Sequence, residues 1–172
     1  MKRKLLWLIA VGAVAAFAYA QTATIRGAFG AGMAGVPDAE RPNAQFRFSV
    51  KELEYNGQTR RGGSFEIEVR GENGVTIVAM TQPAQISVDT ENSVATFAGR
   101  GTAMQRNRQG VRRVQGFVTV RVADNRDADS TDGDPDTIAV AFRTAPDAEP
   151  MFTYRGIVKR GDIRVFEGTR SR

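Results

Sequence analysis

Between Phe117 and Phe142 the chain reads FVTVRVADNRDADSTDGDPDTIAVAF. Val118, Val120 and Val122 alternate with Thr119, Arg121 and Ala123; Ile138, Val140 and Phe142 alternate with Ala139 and Ala141. A period of two, built on β-branched residues, is the pattern of a strand with one buried face. The stretch between the two arms holds Asp124, Asp127, Asp129, Asp132, Asp134 and Asp136 together with Asn125, Gly133 and Pro135. These are turn formers and solvated charges. The unit predicted is a β-hairpin capped by a long acidic loop.

The same period recurs along the chain. Ala44, Phe46, Phe48 and Val50 alternate with Gln45, Arg47, Ser49 and Lys51, and Phe65, Ile67 and Val69 with Glu66, Glu68 and Arg70. Asn73-Gly74 then reads as a tight turn into Val75–Met80. Asn56-Gly57 marks another turn, Arg61-Gly62-Gly63 a break, and Pro83 the end of a strand, with Ile86 and Val88 in a short strand beyond it. Gly156 and Gly161 flank an expected turn, Ile163 and Val165 form the last strand, and 168–172 is expected to fray. Outside the N-terminus no segment has a helical period. Eight to ten short strands spaced by about 8–12 residues define an all-β fold, an antiparallel sandwich or barrel. The connections are too short for parallel crossovers.

The N-terminus carries a different signal. Lys2, Arg3 and Lys4 precede the apolar run Leu5–Phe17, and Ala18-Tyr19-Ala20 supplies a small-x-small cleavage pattern. The run is short against the roughly 20 residues of a spanning helix. Residues 1–20 are therefore expected to be a signal peptide and 21–172 a single β-rich domain, secreted or periplasmic, with no membrane span after cleavage. A retained N-terminal anchor is the other outcome. Removing Lys2, Arg3 and Lys4 leaves 21 basic against 19 acidic residues, so the processed chain is almost neutral. Its charge is segregated nonetheless. Arg100, Arg106, Arg108, Arg112 and Arg113 fall in a stretch without acids, and the aspartates gather at 124–136.

Three landmarks in order carry a family resemblance. They are a glycine-containing first strand followed by Ala44-Gln45-Phe46-Arg47-Phe48; Thr96-Phe97-Ala98-Gly99-Arg100-Gly101-Thr102; and Val118–Asp124 leading through Asp132-Gly133-Asp134-Pro135-Asp136-Thr137 to Tyr154 and Gly161-Asp162-Ile163. This order resembles the post-COAP type modules of bacterial secreted and surface proteins, over nearly all of 23–166. The resemblance implies a small β-rich module in an extracellular setting. It brings no catalytic residues. The chain departs from those modules in standing alone behind its leader and in its longer acidic loop.

The candidate chemistry is narrow. The chain has no histidine and no cysteine, which excludes Ser-His-Asp catalysis, a cysteine nucleophile and most zinc sites. A glycosidase pair needs two carboxylates about 5–10 Å apart in a cleft, whereas Glu52, Glu54, Glu66 and Glu68 are read as lying on solvent faces. No enzyme is expected. Gly30, Gly32 and Gly35 lack the Lys-Ser/Thr of a phosphate loop and read instead as close backbone approach. The acidic loop is the main binding candidate. Asp127, Asp129, Asp132, Asp134 and Asp136 supply the oxygen ligands calcium prefers. Their spacing is not that of an EF-hand: counting from Asp127, the sixth place is Asp132 and the twelfth Ile138. In an extended strand Asp132, Asp134 and Asp136 would stand about 7 Å apart. The other outcome is a solvated loop whose aspartates accept backbone N–H bonds.

The arginine run suits a cell-surface glycan or envelope polyanion, or pairs with the acidic loop of its own chain. No aromatic interleaves it, so nucleic acid is not supported. Tyr55, Tyr154 and Phe29 are the rings left for a sugar platform once Trp7 leaves with the leader. The expectation is a non-catalytic secreted or cell-envelope β module with a structural or binding role. The alternative is a divalent-cation-stabilised adhesion or glycan-binding module using the 124–136 loop.

Overall fold

A computed structural model describes residues 22–37, 39–126 and 133–171. Eight strands follow one another: β1 Thr22–Gly35, β2 Ala44–Tyr55, β3 Gln58–Gly71, β4 Gly74–Asp89, β5 Val94–Asn107, β6 Gly110–Ala123, β7 Thr137–Arg143 and β8 Phe152–Ser171. Each pairs antiparallel with the next, and β8 pairs back onto β1, so the sheet closes into an up-and-down barrel. Closure removes the edge strands that a sandwich would leave.

The alternation decides what faces inward. Phe46, Phe48 and Val50 of β2, Phe65 and Ile67 of β3, and Val118, Val120 and Val122 of β6 are buried, and the residues between them are half-buried or exposed. Phe48, Phe65 and Phe97 meet with ring centroids 5.5–6.4 Å apart and fill the interior. Burying a side chain of this size contributes about 1.5–3 kcal/mol. The outer wall of β2 carries Gln45, Arg47, Ser49 and Lys51, all exposed. Over residues 45–51 of this strand the phenylalanines face inward and the charges outward.

The strands are longer than the sequence suggests. Pro83 does not end β4. Register shifts between Met80 and Gln82 and between Pro83 and Gln85 carry the strand past it, because a bulge tolerates a residue without an N–H. Arg61-Gly62-Gly63 lies inside β3, where Gly63 holds φ at +129° and packs against the backbone of Ser49 and Val50, positions a Cβ would occupy with strain. Between Gly156 and Gly161 there is no turn but a bulge in the β1–β8 ladder, between Met33 and Ala34. The segment expected to fray, 168–171, stays paired with β1 as far as Thr22↔Ser171.

Two ladders are incomplete. β3 and β4 pair only from Gly71↔Gly74 to Phe65↔Met80, although both run on toward the rim, β3 paired only with β2 and β4 only with β5. β7 is seven residues long, so β8 beyond Ile157 has no strand on that side.

Candidate functional site

The ends of the acidic connection take the place of the missing strand. Val158 N–H donates to the backbone carbonyl of Asp136 at 2.8 Å, Ile163 N–H to Asp136 Oδ2 at 3.0 Å, and Val165 N–H to Asp124 Oδ2 at 3.1 Å. Asp136 Oδ1 also accepts from the N–H groups of Asn125 and Arg126, at 2.9 and 3.1 Å. Asp136 is buried, and three backbone donors converge on its two oxygens. Burial raises the Asp124 carboxyl above its ordinary pKa against the Val165 bond that lowers it, and the negative charges of Asp136 and Asp162 add to the rise.

Asp134 is exposed. Asp127, Asp129 and Asp132 lie outside the described residues. Among the described residues no group of three or more carboxylates is arranged to hold a metal ion.

A second polar centre was not foreseen. Glu52 is not on a solvent face. It continues the inward row of Phe46, Phe48 and Val50 and is 2% exposed. Its Oε1 accepts from Arg26 Nε at 2.8 Å and its Oε2 from Arg61 Nε at 2.6 Å. Burial alone would raise the Glu52 pKa, but the hydrogen bonds from the two guanidinium groups outweigh it and hold the carboxyl below its ordinary range. The signal was present in the sequence, since position 52 keeps the even-numbered register of a row otherwise apolar.

Beside this cluster the splayed β3 and β4 leave a crevice of about 520 Å³. Arg61 lines one side. Gln85, Ile86 and Ser87 of β4 and Thr96 and Phe97 of β5 line the other.

The arginine run falls elsewhere. Arg106, Arg108, Arg112 and Arg113 are exposed on the β5–β6 hairpin, and Arg100 stacks over the Phe117 ring at 5.9 Å. That hairpin turn and the acidic connection sit at opposite ends of β6, separated by on the order of 40 Å of strand. Among the described residues the two charged segments therefore do not pair with each other. The aromatic candidates are scattered too. Tyr154 is a core residue whose hydroxyl donates to Asn43 Oδ1 at 3.1 Å, and burial pushes its pKa up to about 12. Tyr55 is exposed at a hairpin tip, and Phe29 is exposed on β1 against Phe166, with centroids 6.1 Å apart. They form no common platform.

In comparisons with known proteins, no family model, no curated protein and no solved structure matches this chain.

Proposed function

We propose that the protein is a non-catalytic β-barrel module of the cell envelope or the extracellular space, with a binding or structural role. One observation carries this reading. The two buried charged residues among the described residues, Glu52 and Asp136, both serve the framework. Glu52 is held by two arginines and Asp136 by three backbone N–H groups, so neither is placed as an acid, base or nucleophile. A general acid or base needs a proton-transfer partner in reach and a pKa near the working pH; the Glu52 carboxyl is shifted the other way. The leader-like N-terminus and the resemblance to post-COAP type modules support the location.

The test is co-sedimentation of the processed chain, residues 21–172, with purified peptidoglycan, anionic envelope polysaccharide and membrane vesicles. Saturable retention on one of them is expected. A turnover reaction on glycan or ester substrates that is lost in Glu52→Gln would sink the reading.

A second reading is a divalent cation held by the 124–136 connection. The crowding of Asp124 by Asp136 and Asp162 favours it, because a cation would relieve that repulsion.

A further inference from the structure

The crevice between β3 and β4 has a built interior. The ladder between these strands stops at Phe65↔Met80, and the bulges around Pro83 carry the β4–β5 hairpin away from β3. The opening is thus set by the backbone rather than by a side-chain rotamer. Its volume, about 520 Å³, lies in the range of about 300–1,000 Å³ that small-molecule sites occupy. Its walls divide by chemistry. Ala84, Ala98 and the edge of Ile86 supply apolar surface over the buried Phe97, while Gln85, Ser87 and Thr96 supply hydrogen-bonding groups. Arg61 is the one charged side chain on the lining.

Arg61 is held in place from behind. Its Nε donates to Glu52 Oε2, and Glu52 is itself fixed by Arg26. A guanidinium has five N–H donors, and the bond to Glu52 engages the one on Nε. Two guanidinium groups share one carboxylate, so the cluster retains a positive charge. Arg26 also lies in the field of Glu54 and Glu167.

We infer that this crevice binds an amphipathic organic anion, a carboxylate on an aliphatic or aromatic body, with the carboxylate on the terminal nitrogens of Arg61 and the apolar body against Ala84, Ala98 and the edge of Ile86. The inference deepens the proposed binding role and rests on it. Arginine suits a planar carboxylate because its fork makes two parallel hydrogen bonds. Fixing the fork through Glu52 removes much of the side-chain ordering that binding otherwise costs.

The probes are decanoate, decanol and decylamine, titrated calorimetrically into residues 21–172. Saturable one-to-one binding of decanoate is expected, with decanol at least tenfold weaker and decylamine not bound. Arg61→Gln should weaken decanoate at least tenfold and erase its preference over decanol. Ala84→Trp, at an exposed lining position, should block the crevice and abolish binding without touching the Glu52 cluster. Phe29→Ser, on the outer wall of β1, should leave binding unchanged. Equal binding of decylamine and decanoate, an unchanged Ala84→Trp protein, or no saturable binding by any probe would overturn the site. Envelope co-sedimentation is measured on the same variants. A lost ligand with retained sedimentation fails the crevice alone, and bound decanoate without sedimentation fails the envelope reading alone.

Discussion

The Asp136 carboxylate accepts a hydrogen bond from the backbone N–H of Ile163 at 3.0 Å, across 27 residues of sequence. With β7 ending early along β8, this bond, the Val158 bond to the Asp136 carbonyl and the Val165 bond to Asp124 stand in for a strand ladder. Asp136→Ala leaves three backbone N–H groups without their acceptor. An unsatisfied buried donor costs about 1–3 kcal/mol, and of the three only the Ile163 bond is buried, so the expected loss is about 1–3 kcal/mol in urea unfolding. Asp136→Asn keeps one acceptor oxygen and should lose about half as much. Amide exchange locates the effect: Ile163 should lose protection in Asp136→Ala while Ile67, in the β2–β3–β4 ladders, keeps its own. Equal loosening at both amides would show that the carboxylate is not a local clasp.

Glu52 predicts the acid limb of the stability curve. Its folded-state pKa lies below the ordinary value of 4.5, so its contribution is complete above that value and fades as pH falls through the folded pKa. Glu52→Gln should flatten this part of the curve. Breaking a buried ion pair costs about 3–5 kcal/mol, but Arg26 and Arg61 are 36% and 40% exposed and can turn to water, so about 2 kcal/mol is expected at pH 7. Denaturant melts from pH 3 to 7 on both proteins measure it. Parallel curves would mean that the two arginines add nothing pH-dependent.

Asp124 runs the other way. Its folded-state pKa is raised, chiefly by burial, so between the ordinary value of 3.8 and the folded value the folded chain holds a proton that the unfolded chain has released. Stability tied to this group is highest below 3.8 and falls as pH rises through the folded pKa. Asp124→Asn removes the charge and retains a carbonyl for the Val165 N–H. It should stabilise the protein slightly at pH 7, by under about 1 kcal/mol, with the gain gone below pH 3.8. A loss at pH 7 would mean that the negative charge itself holds β8.

The alternation of apolar residues made most of this barrel readable, because inside and outside are separated by one residue along every strand. Strand length was not readable. Pro83 and Gly161 are breakers in isolation, and only the partner strand shows that Pro83 is accommodated at a register shift and Gly161 in register opposite Gly32. Nor was closure, since it depends on the pairing of Thr22–Gly35 with residues more than a hundred positions away. Glu52 was missed for a different reason. Its charge was allowed to overrule its position in an inward row, and the two arginines that make burial affordable come from strands on either side of β2. The backbone role of Asp136 could be named only as a class of behaviour, since its main donor, Ile163, is set by the fold.

Calcium separates the two readings of the acidic connection. A cation bound by the folded chain alone stabilises it by mass action, about 2.7 kcal/mol at a hundred times the dissociation constant. For a domain of this size that is a rise in melting temperature on the order of 5–10 °C. The cation reading therefore predicts a rise at millimolar calcium, reversed by a chelator, and reduced in Asp134→Asn and in Asp127→Asn. Asp134→Asn is the cleaner variant, because Asp134 is exposed and its loss removes negative charge without breaking the Asp136 clasp. A melting temperature that calcium leaves in place, in a chain whose β8 amides remain protected, assigns Asp124 and Asp136 to closing the barrel and removes the metal.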